Sequence, residues 1–143
     1  IEATNISVGR GTDTPFEQIG APWIDGPALA AALNASALPG VRFYPVVFTP
    51  AAGAKLGGQV CQGVFLIVTD RDRLRPVRVG LQIAFTLSRM HGAQFRLEDA
   101  ATLFGSKSMI EKIRAGADPA LIAASWAADE ATWRLTRAKY LLY

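Results

Sequence analysis

The feature that most constrains the fold is the run Val64-Phe65-Leu66-Ile67-Val68, five consecutive apolar residues inside Val60 to Thr69. A run this short is too brief for a membrane span and is dominated by β-branched and aromatic types, so it predicts a strand covered on both faces. Asp70-Arg71-Asp72 follows as a charged turn. From Pro76 to Met90, Val79, Ile83, Leu87 and Met90 recur at spacings of three and four, which predicts an amphipathic helix closed by Gly92. A buried strand feeding such a helix implies a sheet with helices packed on it.

The remaining punctuation extends this pattern. Ile1 to Ser7 alternates apolar and polar residues, as a half-buried strand would, and Phe16 to Trp23 is a second, weaker strand or an irregular stretch. Asp25 with Pro27 opens a helix through Leu29 and Leu33 that ends at Leu38-Pro39-Gly40. Val41 to Thr49 reads as a strand whose Pro45 calls for an edge or a bulge. Phe95 to Leu97 suggests a short strand. Ser106 or Lys107 starts a helix ending at Gly116, and Asp118-Pro119 starts another through Ile122, Trp126 and Trp133. The terminal Tyr140-Leu-Leu-Tyr143 is apolar enough to dock rather than fray. The expected class is α+β (or α/β): a single compact domain over residues 1–143, a mixed β-sheet flanked by helices, and a helix-rich C-terminal half.

Composition narrows the function. With 143 residues, half of them hydrophobic and 19% charged, the chain can bury a sizeable core and is no disordered tail. The net charge of +3 is modest and no basic run reaches three residues, which argues against a nucleic-acid surface. No apolar stretch reaches the ~18 residues of a membrane span. Cys61 and His91 are the only residues of their types, so the chain cannot form an internal disulfide or a structural zinc site from them, and no metal or cofactor is implied. The pair could in principle form a nucleophile and base; a small core cysteine and a surface histidine at a helix end are the plainer alternatives. The chain opens on Ile1 within a strand-like pattern, which suggests a piece of a longer protein.

Three segments could carry chemistry. Gly9-Arg10-Gly11-Thr12 lets the backbone approach a ligand while Arg10 presents a planar fork of donors to a carboxylate or phosphate. Asn5, Ser7 and Thr12 add hydrogen-bonding groups beside it. The spacing is neither a dinucleotide fingerprint nor a P-loop, so the loop is either a sugar or anion contact or a turn bearing a solvated arginine. Among the carboxylates, only Glu2 and Glu17 lie near this loop; Asp25 suits a helix cap, and Asp70 and Asp72 a turn. Phe43, Tyr44 and Phe48 suit either sugar stacking or core packing. Trp126 and Trp133, seven apart, suit a core or docking stripe. Asn5-Ile6-Ser7 and Asn34-Ala35-Ser36 match a glycosylation pattern too short to carry weight alone.

Read in order, Glu2-Ala-Thr-Asn-Ile-Ser-Val-Gly-Arg-Gly-Thr12, Pro15-Phe16-Glu17, Gly20-Ala-Pro-Trp23, Leu38-Pro-Gly-Val-Arg-Phe43, Phe48-Thr-Pro50, Cys61-Gln-Gly-Val64, Val68-Thr-Asp-Arg71 and Tyr140-Leu-Leu-Tyr143 span essentially the whole chain. The set resembles the C-terminal domain of the NamZ-type exo-β-N-acetylmuramidases, bacterial glycoside hydrolases. The resemblance implies removal of a terminal N-acetylmuramic acid residue from peptidoglycan fragments during cell-wall turnover, in the periplasm or outside the cell. It also implies an N-terminal Rossmann-like catalytic domain absent from this chain, which would leave the fragment inactive alone. Under the resemblance, Asn5, Ser7, Arg10, Thr12 and Glu17 are the substrate-binding residues, no catalytic residue lies here, and the partners are a muramic-acid-containing saccharide and the N-terminal domain. Val8 stands where many relatives carry an acid, and Ala3 where they carry glycine. The alternative is a non-catalytic carbohydrate-binding or protein-interaction module.

Overall fold

A computed structural model of the chain describes residues 1–142. Its sheet has three strands, β1 (Gln18–Ala21), β2 (Val41–Phe48) and β3 (Cys61–Val68), in the order β1-β3-β2. Both pairings are antiparallel, so within the expected α+β class the sheet is antiparallel rather than mixed. The apolar run of β3 takes the central place, as expected. Its far end is not covered on both faces: Ile67 and Val68 are 41% and 46% exposed. Only α1 (Gly26–Ala35) packs broadly on the sheet, across β2 and β3. Pro45 sits on β2, an edge strand, where its missing N–H breaks no ladder on the outer side.

Helix α1 starts as its sequence predicts. The Asp25 carboxylate accepts from the Ala28 amide at 2.9 Å, with proline in the first turn; such a cap is worth about 1 kcal/mol. The amide of Asn34, near the end of α1, binds both backbone groups of Phe43: Nδ2 donates to the carbonyl at 2.8 Å and Oδ1 accepts from the N–H at 3.1 Å. That double bond satisfies the outer edge of β2 and locks helix to strand. It also engages the second glycosylation-like asparagine.

Helix α2 (Pro76–His91) buries Val79, Ile83 and Leu87 in a single apolar cluster with Ile6, Leu29, Leu33, Val41 and Val64. After it the chain tightens into two 3₁₀ turns, Gly92–Gln94 and Leu97–Ala100, then α3 (Ala101–Phe104), α4 (Lys107–Arg114), α5 (Pro119–Ala124) and α6 (Ala127–Ala138). The strand expected at Phe95 to Leu97 is absent because Phe95 and Leu97 are each driven fully into the core from separate turns. The helix expected from Pro119 through Trp133 is broken in two. Trp126 N–H bonds the Ala123 carbonyl three residues back, a tighter turn that shifts the helix phase. The expected docking of the C-terminal segment does not occur over the described part: Tyr140, Leu141 and Leu142 are 71%, 51% and 94% exposed. Tyr143 lies outside the described residues. No described helix is long and apolar enough to cross a membrane.

The expected opening strand is also absent. Thr4 turns back to bond the Ile1 carbonyl through both its N–H and its hydroxyl, and Lys55 Nζ donates to the carbonyls of Glu2 and Thr4. Those carbonyls are therefore spent on side chains. Only Ser7 pairs with the sheet, through reciprocal bonds to Gly20.

Candidate functional site

The Ser7–Gly20 bridge pins the start of the Gly9–Thr12 loop to the edge of the sheet. Gly9 and Gly11 both take positive φ, +75° and +80°, which side chains adopt rarely. Space demands glycine as well: a Cβ on Gly9 would lie 2.8 Å from the Thr14 carbonyl, and one on Gly11 2.9 Å from the Ala51 amide. The loop closes on itself through Thr12, whose hydroxyl donates to the Gly9 carbonyl at 2.7 Å and accepts from Gln18 Nε2 at 2.9 Å. Ser7 is buried, and its hydroxyl accepts from the Gly9 amide at 3.2 Å. Asn5 points elsewhere: its amide donates to the Gln94 carbonyl and accepts from the Arg96 N–H, tying the loop base to the turn after α2.

These contacts leave Arg10 as the exposed tip. Its Nε donates to Glu2 at 2.9 Å, and its guanidinium lies 4.8 Å from the centre of the Phe16 ring. Among the described residues, no hydrogen bond occupies its two terminal nitrogens, so the outer fork is open to a ligand. Phe16 is 55% exposed and held at φ +69°. A bulky residue in that region is strained, and here the strain presents an aromatic face beneath a cation. Glu17 is exposed beside it, while its backbone carbonyl accepts from Leu66 on β3.

Beside Glu2 and Phe16 opens an apolar cleft of about 310 Å³. Val8, Ile19, Val41, Leu66 and Val68 form its floor, Leu74, Val79 and Ile83 one wall, and Glu2 and Phe16 the rim. Val8 thus faces an apolar space, where valine is at home. Arg10 does not line the cleft itself but stands beside it, bonded to Glu2 and stacked on Phe16, two residues that do. Ser7 and Thr12 instead build the loop, and Asn5 builds its base. Phe16 and Lys55 had no signal in the sequence beyond an aromatic next to a proline and a lysine in a small-residue loop.

The other segments separate cleanly. Strand alternation buries Phe43 in the core and turns Tyr44 outward at 55% exposure, with Phe48 between these extremes. Cys61 is fully buried, its thiol donates to the Gln59 carbonyl at 3.6 Å, and burial pushes its pKa up, the reverse of an activated thiolate. His91 is the last residue of α2 and packs edge-on against Trp23; desolvation lowers its pKa, partly offset by Asp25. No hydrogen bond joins the two among the described residues. Asp70 caps its own turn by accepting from the Asp72 and Arg73 amides.

Residues 1–143 match the family described as exo-beta-N-acetylmuramidase NamZ, C-terminal. The chain belongs to this family. It is 40% identical, over its whole length, to the peptidoglycan beta-N-acetylmuramidase NamZ of Bacillus subtilis (strain 168), and spans 35% of that protein. The fold recurs in two crystal structures of DUF1343 family proteins from Bacteroides fragilis. One superposes with a TM-score of 0.68 at 22% identity over 97% of this chain and 38% of its own. The other does so with a TM-score of 0.62 at 24% identity, over 99% of this chain and 37% of its own. The NamZ family chain therefore corresponds to a little over a third of each of these relatives.

Proposed function

We propose that the chain is the substrate-side domain of a peptidoglycan-acting exo-β-N-acetylmuramidase, with residues 1–143 forming its C-terminal domain. The observation that carries this reading is the open guanidinium fork of Arg10, held by Glu2 and Phe16 beside the apolar cleft that those two residues line, in a chain 40% identical to a relative named for that activity. Muramic acid differs from other wall sugars by a lactyl ether, which sets a carboxylate beside a methyl group. Arg10 suits the carboxylate through charge-assisted, two-pronged hydrogen bonds. The apolar cleft suits the methyl. Glu2 and Phe16 hold the guanidinium in place, Glu17 offers an acceptor to a sugar hydroxyl, and Asn5, Ser7 and Thr12 serve the site by shaping its loop.

The bond-breaking residues then belong to an N-terminal, Rossmann-like catalytic domain, and the substrate places the protein in the periplasm or outside the cell. The test compares the full-length protein with the 143-residue chain on a chromogenic β-N-acetylmuramide. The full-length protein should release the chromophore and the chain alone should not. Hydrolysis by the chain alone would overturn the division of labour; binding of peptidoglycan fragments without hydrolysis by the full-length protein would favour a non-catalytic module.

A further inference from the structure

A second feature lies away from the Gly9–Thr12 loop. The start of α2 and one face of α6 enclose a groove of about 490 Å³ into which Arg75, Arg78, Arg134 and Arg137 project, against a single carboxylate, Glu130. The whole chain carries a net charge of only +3, so a comparable excess is gathered in this one groove. Glu130 offsets Arg134 in a loose pair at 3.6 Å. Arg75 spends its guanidinium on the Asp72 and Leu74 carbonyls. Arg78 and Arg137 form no ion pair among the described residues, and no acid sits in the first turn of α2 to neutralise them.

The same groove holds two tryptophans. Trp126 rests partly against the core, and Trp133 is 61% exposed on the same face of the helix. Trp126 caps α6 and Trp133 lies within it, so seven residues at 1.5 Å per residue set their backbone attachment points about 10 Å apart along the axis. Two flat rings at that spacing suit separate sugar units of one strand better than a single small ion, since each can cover the apolar face of one ring while its edge stays wet. The arginines supply what a neutral sugar would not need.

We infer that this groove is a second binding site, for a carboxylate-bearing glycan strand: the tryptophans stack on sugar faces and Arg78 and Arg137 pair with the carboxylates. The inference deepens the proposed function, because a grip on the strand beyond the terminal residue would hold a polymeric substrate without touching the reacting bond.

The experiment measures calorimetric binding of a soluble peptidoglycan fragment with free carboxylates, of the same fragment after amidation, and of a neutral chitooligosaccharide. The full-length protein with Arg10→Ala is used, so that binding at the loop is suppressed. The free-acid fragment should bind, and amidation should weaken it about tenfold, as should Arg78→Glu with Arg137→Glu. Raising ionic strength from about 0.01 M to 0.15 M should weaken it further. Trp133→Ala should also weaken it while the far-ultraviolet circular dichroism of α6 persists. In the otherwise unaltered full-length protein, the paired arginine substitutions should leave hydrolysis of the small chromogenic muramide within about twofold. Equal binding of the neutral sugar, no effect of the arginine changes, or equal binding of a DNA duplex would overturn the inference. So would Trp133 shielded from a quencher in the ligand-free full-length protein, since the groove would then be an internal contact. Absence of muramide hydrolysis with groove binding intact would count against the hydrolase reading alone.

Discussion

Arg10→Ala separates binding from stability. Arg10 contributes little to the fold: its pair with Glu2 joins side chains 61% and 46% exposed, and such pairs are worth about 0–1 kcal/mol. The stacking on Phe16, also exposed, adds about 0.5–1 kcal/mol. Losing both should lower the melting temperature by no more than about 7 °C. The proposed substrate interaction would be larger, because hydrogen bonds to a charged group contribute about 1.5–3 kcal/mol. In the full-length protein, kcat/KM on a chromogenic muramide should therefore fall by about one to two orders of magnitude, or 1.4 to 2.8 kcal/mol. Arg10→Lys keeps the charge but not the fork and should recover only part of the loss. A kcat/KM within about threefold of the parent would remove Arg10 from the site. A loss accompanied by a large drop in melting temperature would refute the claim that the arginine is structurally dispensable.

Three further outcomes follow from the packing. Gly63→Ala should destabilise by about 3 kcal/mol or abolish folding, because the new Cβ would fall 1.8 Å from the Ile19 carbonyl on β1; Gly53→Ala, which meets nothing within 4 Å, should be neutral in the same urea titration. Asn34→Ala should cost about 1–3 kcal/mol by stripping the Phe43 backbone of both partners, and amide exchange should quicken at Phe43 first. Arg114 grips Glu98 in two bonds of 2.6 and 2.7 Å, and that hydrogen bonding holds the Glu98 carboxyl below its ordinary 4.5. A depressed folded-state value means stability present above about pH 4.5 and lost as pH falls through the lowered one, so urea midpoints should drop in acid less for Glu98→Gln than for the parent.

What the sequence disclosed and what it withheld divide along one physical line. Signals written in neighbouring residues survived: the Asp25 cap, the proline-marked edge strand β2, the periodicity of α2, the glycine stop after α4. Features that depend on distant partners did not. The Ile1–Ser7 alternation looked like a strand, but Lys55, more than fifty residues on, takes the carbonyls a strand would have used. Phe95 looked like a strand because nothing local tells which way a turn will throw a phenylalanine. The same holds for the candidate site. Arg10 was legible as the exposed tip of its loop because glycines flank it, whereas the sequence does not show that Asn5 and Ser7 are tied down by the Gln94 and Arg96 backbone and by Gly9.

Charge followed the same rule with a larger consequence. Along the chain the basic residues are dispersed, with no run of three, and this dispersion argues against a nucleic-acid surface. Folding undoes it. The start of α2 and the helical repeat of α6 each place arginines three residues apart, at 75 and 78 and at 134 and 137, and the packing of α5 on α2 brings α6 alongside so that both pairs line one groove. Neither pair is conspicuous alone, since arginines at that spacing are common on solvated faces. What a linear reading lacks is the crossing of two elements more than fifty residues apart, and it is at such crossings, as at the Lys55 clasp, that this chain keeps the features its sequence does not announce.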